Sequence, residues 1–145
     1  EQFRLAVSLH APTPELRHEL MPIEKKYRLA DVVAALGQFR RRVTLEYVLI
    51  GGKNDALEHA DRLAQLARPL GALVNLLPLH PGGAPELTPS PRAQMLAFER
   101  RLKRRGVEAV LRRSRGLDIS AACGQLRVEL EARRKVRTEE HARVE

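Results

Sequence analysis

The sequence holds one cysteine, Cys123, in 145 residues. A single thiol excludes internal disulfides, and a zinc or iron–sulfur site would need ligands of other types or from another chain. Tryptophan is absent, and two tyrosines and three phenylalanines are too few for the aromatic platform on which single-strand binders stack bases. No apolar run nears the roughly 20 residues that span a bilayer. The opening "EQFRLAVSLH" has no basic stretch leading into a long apolar one, so no secretory leader is expected there and the cytoplasm is the expected compartment. Phosphate loops of the G-x-G-x-x-G or Walker kind are missing as well. The first residue is Glu1 and not methionine, which reads as a piece of something longer.

What is present suits one domain with one core, burying about two-thirds of the surface that the unfolded chain exposes. Hydrophobic residues make up 43% and charged residues 30%, the balance of an ordinary globular protein. Lysine and arginine number 26 against 18 acidic residues, a net charge of +8 that attracts polyanions and suits a nucleic-acid partner.

Residues 3–8 read as a buried strand whose polar end is "SLH", before Pro12 and Pro14 break the chain. Thr13, Pro14 and Glu15 start a short helix to about Met21. From Leu29, Val32, Val33 and Leu36 recur at helical spacing; this helix is expected to finish in Arg40, Arg41 and Arg42, where positive charge suits the C-terminal end of the helix dipole. "VTLEYVLIGG" is the second strand. Asn54 is expected to cap the next helix, whose stripe is Leu57, Ala60, Leu63, Ala64 and Ala67. "ALVNLL" is a third strand closed by Pro78, and "HPGGAPELTPSP" is a loop. Ser90 and Pro91 open a helix to about Arg105, stopped by Gly106, and "VEAVLRR" is the last strand. The domain is therefore read as 1–126, with a charged tail, helical or frayed, over 127–145.

Apolar strands alternating with amphipathic helices imply an α/β fold with parallel pairing and right-handed crossovers. About four such strands with helices on one side suit half of a β/α barrel, or a small open sheet. In a barrel the chemistry sits at the C-terminal strand ends, which here carry "SLH", "IGGKND", "PLHPGG" and "RRSRG".

Ser8 and His10 lie two apart at a strand end, so hydroxyl and imidazole can face one ribose or carboxylate, or simply tie a turn. His80 belongs to the same rim, or to a plain exposed loop. Lys53, Asn54 and Asp55 after two glycines read as a turn with a helix cap. Arg112, Arg113 and Arg115 can hold phosphates and favour a thiolate at Cys123, or form a solvated face. Gly116, Ala121, Ala122 and Gly124 leave room around the sulfur, although a lone cysteine also serves as a small buried hydrophobe.

In chain order, "LAVSLHAP", "MPIEKKY", "VTLEYVLIGGKND", "VNLLPLHP" and "RRSRGLDISAACGQL" resemble the C-terminal half of the RlmN/Cfr family of radical S-adenosylmethionine RNA methyltransferases, over residues 4–126. The resemblance implies a partial (half) radical-SAM β/α barrel. It implies an enzyme that methylates carbon 2 of an adenine in 23S ribosomal RNA, with transfer RNA as a second substrate; in the Cfr branch the target is carbon 8, and "GQL" leans toward the carbon-2 branch. Carbon 2 of adenine is not nucleophilic, so the family uses radicals. By resemblance, one S-adenosylmethionine methylates Cys123, and a second is cleaved at a reduced [4Fe–4S] cluster to a 5′-deoxyadenosyl radical. That radical takes hydrogen from the cysteine-bound methyl, the methylene radical adds to the base, and a second cysteine resolves the link. Ser8, Leu9 and His10 match the family's "SLH" contact to S-adenosylmethionine. His80 stands where most members have a cofactor-contacting asparagine, and its imidazole would make binding pH-sensitive. Arg112, Arg113 and Arg115 would hold RNA.

These residues contain no C-x3-C-x2-C run, no "GGE" motif and no resolving cysteine. No metal ligand is therefore expected in this chain; the [4Fe–4S] cluster belongs to the complete protein, and the chain alone is expected to perform no full turnover. An open edge at the first strand invites dimerisation. Two rival readings stand beside this one: a non-catalytic basic module that binds RNA through Arg112, Arg113, Arg115 and Arg40–Arg42, and an unrelated half-barrel enzyme that uses Ser8 and His10.

Overall fold

Each apolar run expected as a strand pairs in parallel with the next. The computed structural model describes residues 5–21, 27–80 and 86–112, and in them the chain runs β1 (Leu5–Ser8), α1 (Pro14–Leu20), α2 (Leu29–Gly37), β2 (Val43–Leu49), α3 (Leu57–Leu70), β3 (Leu73–Pro78), α4 (Arg92–Arg104) and β4 (Glu108–Leu111). The sheet order is β1-β2-β3-β4, with Leu5 opposite Val43, Thr44 opposite Leu73 and Leu73 opposite Glu108. Strand order that follows chain order has no reversal point, which separates a barrel segment from a doubly wound sheet.

Alternation assigns the two faces. Val43, Leu45, Tyr47 and Leu49 of β2 and Val74 and Leu76 of β3 point to one side, where they meet Leu36, Leu63, Ala64, Ala67, Phe98 and Leu102 from α2, α3 and α4. The helical stripes are therefore the lids of this core. Tyr47 and Phe98 lie at its centre, both 0% exposed, with ring centroids 5.4 Å apart in a tilted arrangement; each buried apolar side chain of this size contributes about 2 kcal/mol or more. A smaller cluster covers the upper part of the other face, where Val48, Ile50 and Leu79 pack with Ala11 and with Leu20 of α1. Thr13 caps α1 by accepting from the Leu16 amide at 3.4 Å, with Pro14 in the first turn.

Three sequence expectations need correction. The first strand is not buried: its residues alternate between half-buried and exposed, because it is a sheet edge covered by helices on one side only. Phe3 and Arg4 of the expected strand lie outside the described residues. The second helix stops at Gly37, before the arginines; beyond Leu36 the next stripe position is Phe39, 37% exposed, so further turns would bury nothing. Asn54 does not cap α3, whose N-cap is Ala56. Gly106 does end α4, at φ +82°, where a side chain would be strained. No described helix is long and apolar enough to cross a membrane.

Candidate functional site at the C-terminal strand ends

The parallel sheet brings the ends of β1, β2, β3 and β4 to one rim, and Asn54 builds its centre. The side chain is fully buried. Its Oδ1 accepts from the Ile50 amide at 2.7 Å, while Nδ2 donates to the carbonyls of Val48 at 2.7 Å and His10 at 2.9 Å. One carboxamide thus ties the end of β2 to the segment leaving β1, and the Tyr47 hydroxyl donates to the Asn54 carbonyl at 2.7 Å. Burial, with the Asp55 charge second, pushes the Tyr47 phenol well above its ordinary value, so it stays a donor. Asp55 accepts from the Gly52 amide at 3.0 Å and from the Ser90 hydroxyl at 2.7 Å, and Gln94 donates to its carbonyl at 2.7 Å. Lys53 pairs with Glu19 of α1 at 3.1 Å. At Gly51 a β-carbon would lie 2.8 Å from the Pro89 carbonyl oxygen, which is why the backbone bridge between Ile50 and Pro89 tolerates only glycine beside it.

The "SLH" residues separate in role. Ser8 is exposed at the last position of β1, opposite Glu46. Leu9 is 1% exposed, and its amide continues the ladder to the Glu46 carbonyl at 2.9 Å. His10 turns the chain away with φ +57°, so it does not share Ser8's face as strand alternation suggested. Its Nδ1 accepts from the Val48 amide at 3.0 Å, standing in for the backbone carbonyl the ladder would next require. That bond fixes the tautomer with hydrogen on Nε2, and no described residue accepts from it. Burial, then the nearby Arg17 guanidinium, lowers the imidazole pKa from 6.5 to about 4.

His10 is therefore neutral at physiological pH and positions rather than shuttles protons. The linkage sign follows: between pH 6.5 and 4 the unfolded chain takes up a proton here that the native site refuses. Stability is full above that window and falls by about 3 kcal/mol as pH drops through it. His10→Asn, which keeps a residue tolerant of the left-handed turn, is expected to flatten that part of the stability–pH curve, read from urea midpoints at successive pH values; an unchanged slope would mean that another group carries it.

On the face away from the helices, a polar row crosses the sheet: Ser8 opposite Glu46, Glu46 opposite Asn75, Asn75 opposite Val110. Arg112 continues the ladder through its amide to Leu76 at 2.9 Å, and its Nε donates to Asn75 Oδ1 at 3.3 Å. Glu46 and Asn75 were missed as candidates. Their signal was a polar residue interrupting "VTLEYVL" and "LVNLLP", but without pairing register nothing showed that they share a row with Ser8. His80 is exposed just past β3, on the same rim as His10 with β2 between them. Arg113, Arg115 and Cys123 lie outside the described residues.

This set fits a nucleoside: hydroxyl, carboxylate and carboxamide in a row for sugar hydroxyls, and an imidazole N–H nearby. It does not fit an iron–sulfur cluster, since the sequence has one cysteine and no three metal-ligating side chains converge among the described residues. A sequential parallel sheet with α2, α3 and α4 on one face and polar side chains gathered at its C-terminal rim is the layout of a β/α-barrel enzyme.

No family model matches the chain. Among curated proteins, a probable dual-specificity RNA methyltransferase RlmN from Gemmatimonas aurantiaca is 57% identical over 145 residues, 99% of this chain and 40% of the relative. One of the same description from Geobacillus kaustophilus is 49% identical over 130 residues, 87% of this chain and 36% of the relative. Among solved structures, a radical SAM methyltransferase from Sphaerobacter thermophilus superposes with a TM-score of 0.77 at 47% identity, covering 86% of this chain and 38% of that one. A domain of a pyruvate-formate lyase-activating enzyme from Bacteroides vulgatus, at 15% identity and TM-score 0.63, shares the fold alone. The chain belongs to the RlmN family of radical SAM methyltransferases, and it spans about two fifths of the length of the curated relatives it matches.

Proposed function

We propose that this chain supplies the C-terminal part of a radical S-adenosylmethionine enzyme that methylates carbon 2 of an adenine in 23S ribosomal RNA, and of an adenine in transfer RNA, in the cytoplasm. The observation that carries the reading is the rim itself: Ser8, Leu9 and His10 of one motif and His80 of another lie along the same C-terminal strand ends, in a chain 57% identical to a relative named a probable dual-specificity RNA methyltransferase.

Ser8, Glu46 and Asn75 would take the sugar hydroxyls of S-adenosylmethionine. The Nε2–H of His10 would donate to it as a neutral group, and His80 would close over it from the next loop but one. Bound there, S-adenosylmethionine supplies a methyl group and the precursor of a radical. The iron–sulfur cluster has no ligands in this stretch and belongs to the longer protein. Cys123 would serve as the temporary methyl carrier, with Arg112, Arg113 and Arg115 holding phosphates of the incoming RNA.

Radical chemistry meets the substrate's requirement, because a ring carbon without a lone pair does not attack a sulfonium methyl. The full-length protein, incubated anaerobically with 23S RNA, S-adenosylmethionine and reductant, is expected to yield 2-methyladenosine at one position in digests analysed by mass spectrometry. RNA without a new methyl, or 8-methyladenosine in its place, would refute this assignment.

A further inference from the structure

At the opposite end of the sheet the sequence places a second feature. Arg40, Arg41 and Arg42 immediately precede β2, Arg68 lies in the last turns of α3, and Lys103, Arg104 and Arg105 finish α4 just before β4. Parallel strands with returning helices bring all of these to the N-terminal edge. Contacts confirm the adjacency: Arg42 pairs with Glu108 at the start of β4, and a β-carbon on Gly106 would sit 3.6 Å from the Arg68 guanidine nitrogen.

The acid that starts β4 at this edge, Glu108, is held by Arg42. Higher on the helices Asp61 is shared by Arg101 at 2.7 Å and Arg105 at 2.9 Å, and Glu99, which also accepts from the Leu111 amide, faces Lys103 at 3.5 Å. Arg40, Arg41, Arg68 and Arg104 are exposed and have no acidic partner among the described residues. The segment over 127–145 does not offer an acidic complement, since its six lysines and arginines face five glutamates. Unpaired guanidinium groups sharing one edge repel one another and attract an anion, and the planar fork of arginine matches phosphate.

We propose that this N-terminal edge is a second RNA-docking surface, gripping sugar-phosphate backbone remote from the nucleotide that reacts at the other end. The partner's identity as RNA rests on the function proposed above; the surface itself rests on charge and placement. A strand of the length of β2 sets the two ends about 20 Å apart, so a large folded RNA reaches both while a short hairpin around the target adenine reaches only the reactive rim.

The test uses the full-length protein carrying Arg40→Gln, Arg41→Gln and Arg104→Gln together, none of which touches the reactive rim. Filter binding compares a long 23S transcript with a short target hairpin over a salt series. The variant is expected to bind the transcript about tenfold or more weakly and to lose about two units of log–log salt slope. Its affinity for the hairpin and its kcat on that hairpin stay unchanged, and the triple Arg→Lys variant retains most of the transcript affinity. An unchanged transcript Kd and slope, or an equal loss on both RNAs, overturns the proposal. Wild-type protein that transfers no methyl to either RNA would defeat the functional reading instead, because RNA binding is measured separately from turnover.

Discussion

Asn54→Ala is expected to lower unfolding free energy by about 3–5 kcal/mol, one of the largest losses available to a polar substitution in this chain. The truncation leaves the Ile50 amide and the Val48 and His10 carbonyls without their partner, inside a site where Asn54 is 0% exposed. Each stranded group costs about 1–3 kcal/mol of unrecovered desolvation. Asn54→Asp is expected to fare no better, although it is nearly isosteric: a carboxylate keeps the acceptor for Ile50 but turns two donors into an oxygen facing two carbonyls. Urea unfolding followed by far-ultraviolet circular dichroism measures both. A loss under about 1 kcal/mol in either variant would mean that solvent reaches these groups and substitutes for the amide.

The second large effect is chemical. If Cys123 carries the methyl group, Cys123→Ala in the full-length protein abolishes methyl transfer to RNA altogether, with no graded residue of activity, because the alanine side chain has no nucleophile to take the methyl. Affinities for S-adenosylmethionine and RNA are expected to hold, which separates a lost carrier from a lost binding site. Cys123→Ser is expected to be equally inactive, since an alcohol at neutral pH is a far poorer acceptor of a sulfonium methyl than a thiolate. Peptide mass analysis of the wild-type enzyme should find a methyl on the Cys123 peptide. Turnover by the alanine variant would remove the carrier role.

Much of the fold was open to sequence reasoning because it is local. The period of 3.6 in Leu29–Leu36 and Ala60–Ala67, and the nearly continuous apolar runs before Gly51 and Pro78, identify helix and buried strand within a few residues. What sequence misjudged depended on partners far along the chain. Asn54 looks like a cap because it stands shortly before an apolar stripe; its side chain instead turns back to Val48 and Ile50 and reaches the His10 carbonyl, 44 residues away. Ser8 and His10 looked like neighbours on one face until a left-handed residue put the imidazole on the Val48 amide. Glu46 and Asn75 are unremarkable singly, and only register joins them to Ser8. The charged edge was visible as separate runs, "FRRRV" and "ERRLKRRG", but not as one surface, since only the parallel topology brings the starts of β2 and β4 to one edge, on either side of β3.

Asp55 has one last bearing. By holding Gly52 with one oxygen and Ser90 with the other, it makes the turn after β2 and the root of α4 a single mechanical unit. A force applied to either is shared by both, and through the adjoining Asn54 it reaches His10. The rim therefore yields as a plate and not as separate fingers, so substitutions at Ser90, remote in sequence from "SLH", alter the shape of the seat that His10 frames.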